Sequence, residues 1–574
     1  MQSRASSNLF ALLLLAFLGV TLIAPIAAVV RGGFQEDGRF TLGWFSDILD
    51  DPEYRDGLWN SVKLATAVTI GCVLIAIPLA MIAENYNFAG KRWWLALIQA
   101  PLILPPFVGA IGLKGLLSRT GGINSLLASV GLIDPAAPID WLADKFWACV
   151  ALETLGLYPI MFLNVQAALA NIDPALDEAA RNLGAGAWRR FWRVTLPLMR
   201  PGIFAGCTIN FIWAFTELGT PLVVGYRKLT VVQVFDSLET HNPQGDAYAL
   251  VIVLMAASIL CYLVGKLVLG RPMPGMMAKA TVSMPPLRVR GVRALAAGAP
   301  FAVVFFLAIL PHIGVILGSI TATGALTLSP SELTLRHHAE LLRDVVSPGA
   351  GGRSAVALSV INSFKYSLLS TAVDIVLGFA IAYLIVRRRG PLTTLLDTIA
   401  MLPLAVPGLV MAFGYFALTQ GDSPLAFLNP LKGADPTPLL VVAYSVRRLP
   451  FMVRSLAAGL EQTSVALEEA AANLGARPLR IMLSVVVPLV AANFIAGGLL
   501  VFNRAMLEVS DGLVLAFDAN TYPMTKAIYT ITANPESGLE VASALGTWGM
   551  LLLIITTAGA SLALGKRLGA LFRV

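Results

Sequence analysis

Long apolar runs broken by short polar stretches occupy most of the chain. One series lies near 9–30, 60–83, 94–117, 146–169, 202–225 and 247–269. A second lies near 296–320, 361–386, 394–418, 438–460, 492–515 and 541–565. Each run has about the twenty residues that a helix rising about 1.5 Å per residue needs to cross a bilayer core. A lone strand cannot satisfy its backbone in lipid, so every run predicts a helix. The pattern predicts an all-α membrane protein of about twelve transmembrane helices. The first run, from about Phe10 to Val30, exceeds the roughly 7–15 apolar residues of a signal peptide and reads as an uncleaved helix.

The two series repeat. Asn60, Ser61 and Lys63 correspond to Asn362, Ser363 and Lys365, and Pro101 and Pro105 to Pro403 and Pro407, at an offset of 302. Pro159 corresponds to Pro450 at an offset of 291. The chain therefore divides into a first half, 1–270, a linker, 271–294, and a second half, 295–574. Six spans per half make the repeats parallel, so a pseudo-two-fold axis should run along the membrane normal with a pathway between the halves.

Charge sets the orientation. The linker carries Arg271, Lys279, Arg288, Arg290 and Arg293 and no acidic residue; Arg387, Arg388 and Arg389 form a basic turn; Lys566, Arg567 and Arg573 close the chain. The loop from Gln35 to Asp56 is acidic. Basic loops stay inside, so both termini are expected on the cytoplasmic side.

Composition agrees: 57% of the 574 residues are hydrophobic, 13% are charged and the mean hydropathy is +0.76. A soluble protein has roughly 45–50% apolar and about 25% charged residues. The net charge of +7 belongs to short clusters beside apolar runs and reads as topology, not as a nucleic-acid surface. Cys72, Cys149, Cys207 and Cys261 form no CxxC pair and read as small core residues. The adjacent His337 and His338 are expected in a solvated loop; a metal site is the weaker reading.

Two polar loops, 173–200 and 464–491, carry the sharpest motif. The first reads Glu178-Ala179-Ala180-Arg181-Asn182-Leu183-Gly184-Ala185 and reaches Leu196-Pro197. The second reads Glu469-Ala470-Ala471-Ala472-Asn473-Leu474-Gly475-Ala476 and reaches Val487-Pro488. Asp173 and Ser464 can cap a helix through each alanine run, and Gly184 and Gly475 can end it in the left-handed region. The result should be a short helix, a sharp turn and a second helix entering the membrane.

These loops resemble the EAA motif, EAA…G…LP, of permeases in binding-protein-dependent ABC importers. The second copy differs in having Val487 before its proline and Ala492 where the first has Pro201. The resemblance implies a type I importer fold in the bacterial inner membrane. It also implies coupling helices that sit in clefts of two cytoplasmic ATPase subunits, and a soluble protein that delivers the substrate. ATP and magnesium would belong to the ATPase partner. No GxxxxGK[ST] loop occurs in this chain, so no cofactor and no ATP hydrolysis are expected of it. The fused layout, with Phe215-Thr216-Glu217-Leu218-Gly219 and Arg447-Arg448-Leu449-Pro450, is similar to the ferric-iron permease group. Thiamine, phosphonate, sugar-phosphate and polyamine permeases are the alternatives within the superfamily.

Several charges fall inside the predicted spans: Glu153, Glu217, Arg447, Arg448, Arg504, Glu508 and Asp511. Intramembrane charges are functional candidates by default. They could line a route for a cation or an anion, or pair internally and hold the halves in register; Arg504 and Glu508, four apart, are expected to face each other. An ion-driven secondary transporter would explain the spans but not the paired loops. A membrane enzyme would need a convergent catalytic set, which is not visible.

Overall fold

The computed structural model describes residues 4–36, 38–102, 105–239, 245–269, 286–322, 333–347, 352–404, 406–421, 423–533 and 538–564. The first half contains α1 (Ser7–Gly33), α2 (Pro52–Asn85), α3 (Pro106–Leu117), α4 (Lys145–Ala170), α5 (Pro174–Asn182), α6 (Leu196–Thr216), α7 (Gly219–Val224) and α8 (Gly245–Leu269). The second half repeats that order as α9 (Val292–Ser319), α10 (Ala355–Arg387), α11 (Gly408–Ala417), α12 (Thr437–Glu461), α13 (Val465–Asn473), α14 (Ala491–Met506), α15 (Ser510–Leu515) and α16 (Leu539–Leu564).

Among the described residues seven helices are long and apolar enough to cross a membrane, and three bent pairs raise that to ten. The other two expected spans are α8, whose apolar part is Gly245–Cys261, and α12, which carries Arg447, Arg448 and Arg454. The third span of each half is not the straight rod expected at 94–117 and 394–418. It turns by 92° between Lys91–Leu102 and Pro106–Ser129, and by 102° between Pro391–Leu404 and Gly408–Ala417. Pro105, Pro106 and Pro407 stand at these corners, where a ring without an N–H excludes continuous helix. The runs expected at 202–225 and 492–515 also break, after Thr216 and after Met506.

Each half lends its first helix to the other. Helix α1 packs against α11, and α9 packs against α3. Glycines permit the close approach: a Cβ on Gly112 would fall 1.8 Å from the Pro311 carbonyl oxygen, and one on Gly414 would fall 2.7 Å from that of Pro25. The Tyr415 hydroxyl donates to the Thr21 carbonyl at 2.5 Å. The halves thus interlock around α3 and α11. Every residue of Gly408–Phe416 is buried.

Of the linker, residues 271–285, with Arg271 and Lys279, lie outside the described residues, as do His241, Lys566, Arg567 and Arg573. Beyond them Leu287–Arg288 pairs in parallel with Tyr86–Asn87, and Val289 N donates to Asn87 O at 3.0 Å. The end of the tether is therefore strapped to the loop after α2. His337 and His338 are not in a solvated loop. They sit half-buried on a helix, Arg336–Val346. The Trp548 indole donates to His338 Nδ1 at 3.1 Å, which leaves Nε2 to donate to Ser319 Oγ, also at 3.1 Å. His337 Nε2 meets the Thr321 carbonyl at 3.2 Å. Burial first, and then the neighbouring His337, hold His338 below the usual histidine range.

Candidate functional site

The two motif loops fold alike. Asp173 accepts from Ala175 N at 2.9 Å and opens α5; Ser464 accepts from Ala466 N at 3.3 Å and opens α13. Each helix ends at its asparagine, and Gly184 and Gly475 follow at φ +79° and +81°. Space around both glycines is open, so the backbone dihedral, not crowding, demands glycine there. Glu178, Ala179, Glu469 and Ala470 are exposed, and Ala180 and Ala471 are half-buried. Leu183 and Leu474, just after the helices, are each 88% exposed. A five-residue π-turn precedes Leu196-Pro197 in one copy and Val487-Pro488 in the other. The proline has no N–H to offer the preceding turn, and the turn widens.

The copies differ in how they are held. Asp177 on α5 pairs with Arg190, only 13 residues on, at 2.9 Å. Its counterpart Glu468 on α13 pairs with Arg387, the last residue of α10, at 2.8 Å; both side chains are largely buried. Glu468 also accepts from the Tyr383 hydroxyl at 2.9 Å, and Arg387 donates to the carbonyls of Leu460 and Thr463. Asn85 and Met81 occupy the places of Arg387 and Tyr383 in the first half. Arg387, read from the sequence as a marker of topology, is thus a structural clamp. The adjacent Glu468 carried no separate signal beside the motif glutamate. The helix beyond the loop differs too. Ala187–Thr216 runs as one span, whereas Pro478–Leu489 and Ala491–Met506 meet at 74°. The copy with Ala492 in place of Pro201 is the bent one, and nothing in the structure explains that reversal.

The intramembrane charges gather at the breaks after α6 and α14. Glu217 accepts from Thr220 N at 3.2 Å and caps α7; Glu508 accepts from Asp511 N at 3.4 Å and caps α15. Around this shared cap the halves diverge. Arg447 reaches Glu508 at 2.5 Å and Asp511 at 3.3 Å, and Arg448 pairs with Glu508 and lies 4.0 Å from Asp511. The guanidinium of Arg448 lies 4.9 Å from the Tyr444 ring. In the first half Gly156, Leu157 and Glu153 stand where Arg447, Arg448 and Tyr444 stand in the second. Size is exchanged across this contact. A Cβ on Gly156 would meet Pro106 at 2.6 Å, while Gly408, the counterpart of Pro106, leaves room for the Arg447 guanidinium, 2.4 Å from where its Cβ would lie.

The expected pairing of Arg504 with Glu508 is not made. Helix α14 ends at Met506, so the two do not share a helix face. Arg504 instead lies over the rings of Phe451, at 4.6 Å, and Trp213, at 5.4 Å. Glu153 is buried among the described residues with neither carboxylate oxygen hydrogen-bonded. Asp374 on α10 is in the same condition and was missed from the sequence, because a lone Asp in a long apolar run gives no spacing to read. The bond from Ser445 Oγ to Ser370 O, 3.2 Å, and the contact of Gly378 with Met452 bracket it at the level of Arg448. All four cysteines are free thiols. Among the described residues no group of three or more His, Cys, Asp or Glu is placed to hold a metal ion.

Two stretches, 76–271 and 374–569, match the family described as binding-protein-dependent transport system inner membrane component. The chain is 25% identical to the ferric transport system permease protein FbpB of Actinobacillus pleuropneumoniae, over 96% of this chain and 76% of that protein. It is 32% identical to the spermidine/putrescine transport system permease protein PotB of Haemophilus influenzae, over 37% of this chain and 76% of that protein. A crystal structure of a bacterial ABC transporter that imports alginate aligns at 18% identity and a TM-score of 0.39, over 46% of this chain and 96% of that one.

Proposed function

The chain belongs to the binding-protein-dependent transport system inner membrane component family, the multi-pass permeases of ABC importers, and on that premise we propose that it moves ferric iron across the inner membrane. The observation that carries the iron reading is coverage. Similarity to a ferric permease spans both halves, whereas similarity to the polyamine permease spans 37% of the chain. Labelled ferric uptake under iron limitation tests it, in cells with and without the chain and lacking another iron importer. Uptake that falls on deletion and returns on re-expression is the expected result. Unchanged uptake moves the cargo to phosphonate, sugar phosphate, thiamine or polyamine and leaves the permease role in place.

In this reading both termini and both motif loops face the cytoplasm. Two ATPase subunits, which hold the ATP and magnesium, receive α5 and α13 with the exposed Leu183 and Leu474 at their tips. Their closure on ATP draws the loops together and opens the pathway toward the binding protein outside. Hydrolysis resets it. Glu178, Gly184, Pro197, Glu469, Gly475 and Pro488 shape the transmitting loops, and the charges at the two breaks face or flank the route. Valine at Gly184 or Gly475 strains the backbone by roughly 1–2 kcal/mol. Such variants should insert normally yet hydrolyse ATP without matching transport. Uptake and ATP turnover of the assembled complex measure this, and full uptake in both variants sinks the coupling role.

A further inference from the structure

Arg504 lies 13 residues into α14, about 20 Å along the helix at about 1.5 Å per residue. Its side chain is exposed, yet it reaches across to the other half of the molecule. The ring beneath it, Trp213, is its own counterpart at the 291 offset. Two equivalent positions in contact must straddle the pseudo-two-fold axis, where the pathway of such a repeat protein runs. Phe451 on α12 supplies the second ring.

The guanidinium has five N–H donors. Among the described residues it makes no ion pair and no side-chain hydrogen bond; two ring faces are its partners. Its carbonyl already accepts from Arg448 at 3.0 Å, so a second cation stands behind it. The carboxylates of that region, Glu508 and Asp511, are engaged by Arg447 and Arg448. A planar fork of unspent donors, backed by other cations and open to the axis, matches a carboxylate or phosphate group. Rings hold a cation without satisfying its N–H groups, so an arriving oxyanion can take their place.

We propose that Arg504 is an anion-recognition residue on the pathway, and that the cargo crosses bearing an oxyanion group. The inference rests on the permease reading. Applied to iron, it means that the ferric ion travels held by carboxylate or phosphate ligands, since a bare trivalent cation would be repelled by the guanidinium.

Trp213 supplies the readout. The purified chain in detergent is titrated with inorganic phosphate and, separately, with citrate while tryptophan emission is followed. We expect a saturable change that is absent in W213F and in R504Q, and that survives in R504K with about tenfold weaker affinity, because lysine lacks the fork. No change in the native chain, or an equal change in R504Q, overturns the proposal. A change produced by phosphatidylglycerol in nanodiscs but not by phosphate or citrate also overturns it, since the site would then hold a lipid headgroup. ATP hydrolysis stimulated by the binding protein is measured in parallel on the assembled complex. Absent stimulation in the native complex strikes the permease reading. Intact stimulation without an anion response strikes only the inference.

Discussion

At the break after the fifth span of the first half, Glu217 caps α7, Gly156 and Leu157 hold the sequence positions of the second half's two arginines, and no cation is hydrogen-bonded to Glu217 among the described residues. At the equivalent break of the second half, Glu508 caps α15 and is gripped by Arg447 and Arg448, with Asp511 beside it. The cap is common to both, so it belongs to the fold: a chain that leaves helix inside a membrane must find acceptors for the N–H groups of the next helix. The ion network is present in one copy alone, so it is an addition that the fold did not require. The repeat permits this, since one half can hold a plain joint while the other carries the charges.

Neutralising each glutamate separates the two roles most sharply. E508Q leaves the buried Arg448 and the half-buried Arg447 short of charge, and breaking a buried pair costs about 3–5 kcal/mol. E217Q removes a charge that has no cation partner and keeps an amide oxygen for the cap, so its cost should stay below about 1 kcal/mol. Unfolding of the purified chain in detergent measures both, and equal losses would mean that the ion network adds nothing.

The second contrast lies at the motif loops. R387Q unties α13 from α10, a buried pair worth about 3–5 kcal/mol when broken, and should lower uptake per ATP hydrolysed. R190Q loosens a more exposed pair worth about 0–1 kcal/mol and should leave that ratio nearly unchanged. Transport and hydrolysis measured on the same reconstituted complex give the ratio directly; equal losses in the two variants would make the loops mechanically alike.

A third test concerns the size exchange. G408A crowds the Arg447 guanidinium and G156A crowds the Pro106 ring, each overpacking at about 1–3 kcal/mol. Only G408A should also weaken the ion network, so in an E508Q background its cost should shrink while that of G156A should not. A double-mutant comparison of midpoints decides it.

The smallest effect is one of pH. His338 has a lowered folded value, so the unfolded chain takes up its proton first on acidification. The stability tied to the neutral ring is complete above the ordinary histidine value of about 6.5 and is lost as pH falls below it toward the folded value. Protonation removes the acceptor that Trp548 uses. Protection of the amides in Arg336–Val346, taken against each amide's intrinsic exchange rate, should fall as pH drops below about 6.5, and the Tyr415–Thr21 contact, which lacks a histidine, should not respond.

Much of this was legible in the sequence because lipid writes a strict code. A span needs its apolar length, and both motif loops, their caps at Asp173 and Ser464 and their glycines stood at equal spacing. The corners at Pro105 and Pro407 were half legible, since proline marks a break but not its angle. The partners of the charges were not legible. Spacing placed Arg504 against Glu508 on a helix that in fact ends at Met506, and nothing local to Arg447 reveals that Gly408 makes room for it. Contacts between segments far apart in the chain leave no trace in a single sequence.

The exchange of first helices sets a clock. Thr21 must wait for Tyr415, 394 residues later, before that contact can close. At roughly 5–20 residues per second of synthesis, the delay is about 20–80 s. During that interval α1 stands in the bilayer with the groove that will hold Pro25 not yet made. A ribosome that stalls before Tyr415 would therefore leave α1 packed against α8 of its own half but without its second-half partners, and the two halves can lock there only after Tyr415 of the 574-residue chain has been made.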